Sequence, residues 1–206
     1  MIKPLTLAVG LGAATIGIAR ADVIYDNLAN TPASIGPGAV LNESPADSFS
    51  TGAASATLTD VKLLMDLGAS GATGSFTVSL LADSGTHPGS VIATLATVSD
   101  TRLSGTGLAV LDLGRTTGVT PVALAPDTRY WIQLTTANNS DAFWSFDNDA
   151  TGIGVAGESW FNSTLGVNLN AIGNGPYQMQ VDVPEPASLA LLSFALAGLG
   201  VARRRS

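Results

Sequence analysis

Apolar and polar residues alternate in short runs through the middle of the chain. The alternation is clearest in three segments, 76–80, 130–134 and 177–183. Apolar or aromatic runs without strict alternation fall at 91–98, 108–113, 143–146 and 160–161. Turn-forming residues bound these runs, and no segment between residues 22 and 182 repeats at a helical period. The pattern predicts an all-β fold, which we interpret as a single antiparallel β-sandwich of jelly-roll-like form. A β-helix is the alternative, although the sequence has no fixed internal repeat.

The C-terminal pattern is different, because one uncharged apolar run extends from Ala187 to Ala202. These 16 residues would form a helix of about 24 Å, whereas a bilayer core is about 30 Å thick. Arg203, Arg204 and Arg205 follow the run and would keep the C-terminus on the cytoplasmic side. The run therefore predicts a transmembrane helix that is marginal as a permanent anchor.

The segment just before this run reads Val183-Pro184-Glu185-Pro186. The succession of Pro-Glu-Pro, one short apolar helix and a basic end resembles the PEP-CTERM sorting signal of bacterial surface proteins. The resemblance implies that an exosortase, a membrane enzyme, recognises Pro184, Glu185 and Pro186 and removes the helix. It also implies an intermediate tethered to the inner membrane, and a final place at the surface or in the extracellular matrix of a Gram-negative-type bacterium. A permanent C-terminal anchor is the alternative.

The N-terminus has the features of a secretory signal peptide. Lys3 gives a basic start, Leu5–Ile18 is an uncharged stretch of 14 residues, and Ala19-Arg20-Ala21 fits the A-x-A cleavage site. Signal peptidase would therefore cut after Ala21. The predicted organisation is a signal peptide at 1–21, an exported domain at 22–182 and a sorting segment at 183–206.

Export changes the meaning of the composition. The part between the two targeting segments has four basic and 15 acidic residues, hence a net charge of −11, against −7 for the whole chain. Nucleic acid and anionic lipid would repel such a domain, whereas cations, a hydrated polysaccharide or plain solubility suit it. The chain has no cysteine, so disulfides and thiolate chemistry are excluded.

A second resemblance concerns the exported domain. The blocks 57–65, 74–83, 87–95 and 124–134 follow one another in a succession similar to that of the choice-of-anchor R domain, an extracellular β-sandwich. The likeness covers the region from residue 23 to residue 182. Because that family is defined by its alternative anchoring tails, the resemblance implies a fold and a location but no chemistry.

Catalytic chemistry has little support in the sequence. His87 is the only histidine, and it lies in the turn-rich segment 83–89, where an exposed polar residue is ordinary. A serine-hydrolase triad would need this residue as its base, and the G-x-S-x-G motif is absent. We therefore predict that the protein is not an enzyme and needs no cofactor.

The segment 141–160 combines acidic and aromatic residues. Trp144 and Trp160 are candidate glycan contacts, because aromatic faces stack on sugar rings. The alternative for both tryptophans is a place in the core of short strands, with the acids in turns.

The acids of the same segment are candidate calcium ligands. Asp147 and Asp149 are separated by one residue and could both supply oxygen ligands. When Asp147 is counted as the first position of an EF-hand loop, Gly152 falls at the sixth position and Glu158 at the twelfth. The helices that flank an EF-hand loop are missing, so the hypothesis is a surface calcium site.

Two functions from different classes remain open. The first is a non-enzymatic surface or matrix protein that is processed by signal peptidase and exosortase and associates with extracellular polysaccharide. The second is a carbohydrate-binding or carbohydrate-active module that uses the Trp144–Trp160 region and is stabilised by calcium. Burial of both tryptophans would exclude the second.

Overall fold

The computed structural model describes residues 21–33, 44–67, 73–103, 107–138, 140–170 and 175–184. The predicted signal peptide up to residue 20 and the apolar run 187–202 lie outside these ranges. The described residues form 13 strands, which are β1 (Ala21–Asp26), β2 (Ala46–Ser50), β3 (Ala56–Leu58), β4 (Asp60–Leu67), β5 (Ser75–Asp83), β6 (Pro88–Ser99), β7 (Ala109–Asp112), β8 (Val122–Leu124), β9 (Arg129–Ala137), β10 (Ala142–Trp144), β11 (Ser159–Asn162), β12 (Gly166–Leu169) and β13 (Met179–Pro184). Their helical elements are a 3₁₀ turn, Asp100–Leu103, and a short helix α1, Leu113–Thr116. Neither has the length that crossing a membrane would require.

Antiparallel pairing organises the strands into two large sheets and one small one. The six-stranded sheet has the order β12-β11-β2-β9-β5-β6. The five-stranded sheet has the order β1-β13-β4-β10, and β7 pairs with the other edge of β4. Strands β3 and β8 form a separate pair. The predicted all-β class is therefore confirmed for the described part of the chain.

One hydrophobic cluster takes side chains from both large sheets. The alternating positions of β5 and β9 point into it, which confirms the strands predicted at 76–80 and 130–134. The runs predicted at 91–98 and 160–161 also fall on strands, namely β6 and β11. In the run predicted at 108–113, Ala109–Asp112 forms β7, whereas Leu113 begins α1. The fully buried members of the cluster include Phe76, Val78, Leu80, Ile132 and Leu134 from the larger sheet and Tyr25, Val61, Leu63, Met65, Met179 and Val181 from the smaller one.

The opposite face of the six-stranded sheet carries a second, smaller cluster around Trp131. Tyr130 and Trp131 are neighbours on a strand, so their side chains point to opposite faces. Tyr130 lies in the main core, whereas Trp131 is fully buried against Ala46 and Leu81. Its indole Nε1 donates a 2.8 Å hydrogen bond to Asp83 Oδ1. Tyr130 is therefore a residue of the main core, and Trp131 belongs to a second layer on the other face of the sheet.

The segment between β10 and β11 folds back onto β1. The amide of Asp26 donates to the carbonyl of Ile153 at 2.9 Å, and the amide of Ile153 donates back at 3.0 Å. Next to this bridge, Gly154 has a φ of +68°, and a Cβ there would overlap the carbonyl oxygen of Ile24. Gly157 also has a positive φ, +87°, but open space around its Cα. Gly154 is therefore required for close approach as well as for conformation, whereas Gly157 is required for conformation alone.

Replacing Gly154 by alanine should lower the free energy of unfolding by about 2–4 kcal/mol, because it adds a steric overlap to the cost of a left-handed alanine. The matched substitution Gly157→Ala should cost about 1–2 kcal/mol, because only the conformational term applies. Urea unfolding followed by tryptophan fluorescence measures both. Equal losses in the two variants would contradict the close packing of this segment on β1.

Candidate functional site

The predicted tail leaves the folded domain at the end of β13. This strand lies between β1 and β4, so the main chain of Gln180–Asp182 is paired on both sides, whereas Val183 and Pro184 pair with β1 alone. Pro184 lies opposite Ala21 of β1, and Asp182 lies opposite Asp60 of β4. We call the last three residues of the strand, 182–184, the tail junction. The pairing thus includes Ala21, the last residue of the predicted signal peptide, and the first residues of the predicted sorting segment.

Asp182 fixes the tail junction to β4. Its carboxylate accepts a 2.6 Å bond from the ammonium of Lys62 and a 2.7 Å bond from the side-chain amide of Gln180. Its carbonyl oxygen accepts from the amide and the hydroxyl of Thr59, at 3.1 Å and 3.2 Å. Burial alone would lower the pKa of Lys62, but the hydrogen bond and the charge of Asp182 raise it above its ordinary value. Lys62 is therefore cationic at neutral pH, and the pair holds this end of the strand.

The remaining two residues of the tail junction differ in exposure. Val183 is buried in the main core, with 4% of its surface exposed, whereas Pro184 is exposed. An open groove of about 220 Å³ adjoins them, and its other wall includes Ile24 and the segment 52–56. The remaining sorting-signal residues, Glu185, Pro186 and Arg203–Arg205, lie outside the described residues, as does Ala19 of the predicted signal-peptide cleavage site.

A second group of polar side chains is buried between the two sheets, around Asp47 of β2. The Asp47 carboxylate accepts a 2.6 Å bond from the amide of Tyr177 and a 3.3 Å bond from the hydroxyl of Tyr25 on β1. Asn170 donates to the Tyr25 hydroxyl oxygen at 3.2 Å and to the carbonyl of Val155 at 3.3 Å. The buried Oδ1 of Asn170 has no hydrogen-bond partner within the described part of the chain. These bonds connect one sheet to the other through polar atoms.

The surroundings of Asp47 favour its neutral form. Complete burial raises the pKa of its carboxyl well above the ordinary value, and the charge of Glu158 acts in the same direction. Burial likewise raises the pKa of the Tyr25 hydroxyl, with the nearby Asp47 and Asp147 adding to the effect. A carboxyl whose pKa is raised in this way suits a structural link, because its neutral form avoids placing an isolated charge in a low dielectric.

Glu158 occupies a neighbouring buried position with a different set of partners. Its Oε2 accepts from the hydroxyl of Ser48 and, at 3.0 Å, from Nε of Arg129. The Arg129 guanidinium also donates to the carbonyl of Gly157 at 3.0 Å, and the amide of Ser159 donates to the Ser48 hydroxyl at 2.9 Å. Glu158 therefore joins β2, β9 and the start of β11.

The two tryptophans predicted as glycan contacts are core residues. Trp144 and Trp160 are each 1% exposed, so neither indole offers a face to a sugar. Trp144 stacks on Tyr177 with ring centroids 5.0 Å apart, and Trp160 meets the same ring edge-on at 6.3 Å. A Cβ at Gly175 would overlap the Trp160 indole, so the main chain lies directly on that ring. The glycan-contact interpretation is corrected accordingly: the aromatic pattern reflected packing around Tyr177.

The three acids predicted as calcium ligands are not brought together. In the ranges that the structure covers, no group of three or more histidine, aspartate or glutamate side chains could hold a metal ion. Asp147 is buried and accepts bonds from the Asn27 side chain at 3.4 Å and the Asp149 amide at 2.9 Å, whereas Asp149 itself is exposed. Glu158 is bound by Arg129. Spacing along the chain resembled a calcium loop, but the fold gives each acid a different set of protein partners.

His87 lies where the sequence placed it, in the turn between β5 and β6. The side chain is exposed, and the amide of Ser84 donates to the His87 carbonyl at 2.9 Å across the turn. Gly85 and Thr86 both have positive φ, +61° and +76°, as a two-residue hairpin turn requires. His87 therefore has a structural place in this turn, through its main-chain carbonyl.

Most of the residues that hold these two sites carry no signal in the sequence. Asp47 and Asn170 stand in segments without a motif, and only the pairing of distant strands brings them together. Gln178 and Asp182 fall on polar positions of the clearest predicted strand, yet both are buried, and their side chains bond to Ser145 and to Lys62. The sequence offered one signal for the tail junction, which is the charged residue Asp182 two positions before Pro184.

Comparison with known families identifies the tail. Residues 182–206 match the PEP-CTERM protein-sorting motif, and the match begins at Asp182, the first residue of the tail junction. The motif indicates exosortase-dependent export and a membrane-anchored sorting intermediate. No curated protein matches the chain. Because the match covers the tail alone, the resemblance of the region 23–182 to the choice-of-anchor R domain stays a prediction.

Asp47→Asn should change how stability depends on pH. The unfolded wild type releases the Asp47 proton near about pH 4, whereas the folded protein keeps it to a higher pH, so this residue lowers the free energy of unfolding as pH rises. The asparagine variant has no such proton to lose. Its stability relative to the wild type should therefore increase from about pH 4 to about pH 7.

Thermal melting across this pH range measures the difference, and the exposed Asp149→Asn is the matched control. A relative stability of Asp47→Asn that stays constant or falls with pH would contradict the proposed neutral form of Asp47.

Proposed function

We propose that this chain is an exosortase-sorted protein of the bacterial surface or extracellular matrix, with no catalytic activity of its own. The observation that carries the proposal is the match of residues 182–206 to the PEP-CTERM protein-sorting motif, joined without a linker to a folded β-domain. The tail would anchor an intermediate in the membrane, and the β-domain is the part that is delivered. Exosortase and signal peptidase are the processing enzymes that such a route requires.

For the cargo we favour a two-layer β-sandwich. Its support is that both large sheets contribute to one hydrophobic cluster, as sheets packed face to face do. The resemblance to the choice-of-anchor R domain agrees with this architecture. A cysteine-free exported domain must obtain its stability from such a core and from its polar links.

The positions of the ionisable groups support a non-enzymatic role. The buried acids Asp47, Glu158 and Asp182 each bond to groups of their own domain, and those bonds join strands to one another. His87 lies in an exposed hairpin turn. General acid–base catalysis needs such a group within hydrogen-bond reach of a bound substrate, and these positions suit structure better.

The outer surface suits a hydrated, uncharged or weakly charged polysaccharide better than a polyanion. The exported region carries a net charge of −11 by composition. Strand β6 exposes Thr94 and Thr97, and the Thr97 hydroxyl lies 3.2 Å from that of Thr77 on β5. Rows of hydroxyl groups form hydrogen bonds with water and with sugars alike. Extracellular polysaccharide is therefore the partner class that we propose for the delivered domain.

Replacing Glu185 by glutamine together with Pro186 by alanine should stop removal of the tail, because the exosortase would lose its recognition sequence. Intact-mass measurement of wild-type protein from the matrix fraction should show a C-terminus without Arg203–Arg205. The double variant should retain those arginines and stay in the membrane fraction.

The matched control is Pro121→Ala, an exposed proline outside the tail, which should be processed like the wild type. The same comparison in a strain without exosortase should reproduce the double variant. Wild-type protein that carries Arg203–Arg205 in the matrix fraction would contradict the proposal and favour another route.

A further inference from the structure

Strand β12 forms one edge of the six-stranded sheet and reverses the usual pattern of side chains. Paired residues of β11 and β12 lie on the same face of the sheet. Asn168 lies opposite Trp160, a residue of the main core, so it is on the inner face. Val167 lies opposite Phe161, and both pack against the smaller cluster around Trp131 on the outer face. The strand therefore directs a polar side chain inwards and an apolar one outwards, whereas a solvated outer face normally carries polar residues.

The apolar residues at both ends of β12 are exposed. Leu165, in the turn before the strand, is 51% exposed, and Leu169, the last residue of the strand, is 56% exposed. Leu169 follows Val167 at a spacing of two residues, so both are on the outer face. One exposed leucine is ordinary on a protein surface, but outward aliphatic residues on an edge strand favour contact with another chain.

The main-chain groups of Val167 and Leu169 point away from β11. The amide of Asn170 donates to the carbonyl of Glu158 at 3.0 Å, so these two residues belong to the hydrogen-bonded positions of the β11–β12 ladder. Such positions alternate with outward-pointing ones, which makes Asn168 an inward position and Val167 and Leu169 outward positions. No strand among the described residues pairs with this edge of β12. The edge therefore offers the amides and carbonyls of two residues to an added strand.

These groups match a second copy of the same strand. When two β12 strands run antiparallel about a two-fold axis at Asn168, Val167 of each copy lies opposite Leu169 of the other. The outward positions then form hydrogen-bonded pairs, each of which exchanges both of its main-chain bonds. Valine meets leucine on the outer face, and the two Asn168 amides meet on the inner face, where one can donate to the other. The strand is therefore complementary to itself, as a two-fold interface requires.

The distribution of charge favours the same edge for contact between copies. The exported region has a net charge of −11, so two copies repel each other over much of their surface. The segment 159–181, which contains β11 and β12, has no charged residue. The opposite edge of the sheet, β6, is also uncharged, but its pairing with β5 has register shifts of the kind that protect an edge. The pairing of β12 with β11 is regular.

We propose that β12 is a self-association edge, at which two copies of this chain pair antiparallel about Asn168 and join their six-stranded sheets into one. The partner is a second copy of the chain. Tethering to one membrane would raise the local concentration of such copies and favour their pairing. The inference goes beyond the proposed function, because it does not depend on how the tail is processed.

Cysteines on β12 test this pairing in cells that export the full chain. The chain has no cysteine, so a disulfide between two copies must use the introduced residues. When Val167→Cys and Leu169→Cys chains are exported together, their thiols fall on one hydrogen-bonded pair, with Cα atoms about 5.5 Å apart, within the range of a disulfide. In either variant alone the equivalent thiols lie on a diagonal of about 7–8 Å, beyond the usual limit.

After oxidation of washed cells, non-reducing electrophoresis should show at least ~5-fold more covalent dimer for the two variants together than for either alone. The matched control is Ile153→Cys, an apolar position that is 53% exposed and lies outside β12, which should stay monomeric. Equal amounts of dimer in all of these samples would indicate random collision and overturn the inference, as would absence of dimer from the combined sample. A covalent product with a different protein would overturn the choice of a second copy.

A charge on the edge tests the same pairing through another residue. Asn168→Cys alone should crosslink, because the two copies of this residue face each other across the axis at about 4.5 Å. Adding Leu169→Lys should reduce that dimer at least ~5-fold, since a lysine on an edge strand opposes pairing. Leu169 is 56% exposed, so the lysine should leave the melting temperature, followed by tryptophan fluorescence, unchanged within about 2 °C. Undiminished dimer in the folded lysine variant would overturn the inference.

Discussion

The pairing of β13 on both of its edges is the constraint on which the rest of the structure depends. Among the described residues the first and last strands are neighbours, so Ala21 lies opposite Pro184. The five-stranded sheet is complete only when β13 lies between β1 and β4. Its completion therefore requires the residues that immediately precede the sorting tail. The fold of the domain and the position of its sorting motif are therefore linked through one strand.

Buried polar groups hold this strand at both ends. Before it, the Tyr177 amide is bonded to Asp47 and its ring is packed between two tryptophans. At its end, Asp182 is bonded to Lys62. Such groups cost free energy when they are left unpaired, so they specify one register for the strand more strictly than apolar contacts do. The same residues that resemble a functional site in composition thus act as structural links.

The sequence predicted what depends on local pattern. Alternation at 76–80 and 130–134 reports one buried face of a strand, and the tail was recognisable because its residues are contiguous. It did not predict what depends on contacts between distant strands. Trp144 and Trp160 pack around Tyr177, and the acids near them, such as Glu158, bond to groups on other strands. A stretch of aromatic and acidic residues has the same one-dimensional pattern whether it faces solvent or the core, so only the three-dimensional pairing could distinguish the two.

Amide hydrogen exchange measured by NMR on the full chain in detergent micelles tests the central claim most directly. If the sorting motif begins inside the folded sheet, the amides of Asp182 and Val183, like that of Val181, should exchange more slowly than the amides of an unfolded peptide. Val183 should exchange faster than Val181, since it lies nearer the end of the strand. Exchange of Asp182 and Val183 at the rate of an unfolded peptide, with Val181 still protected, would contradict the account and separate the motif from the fold.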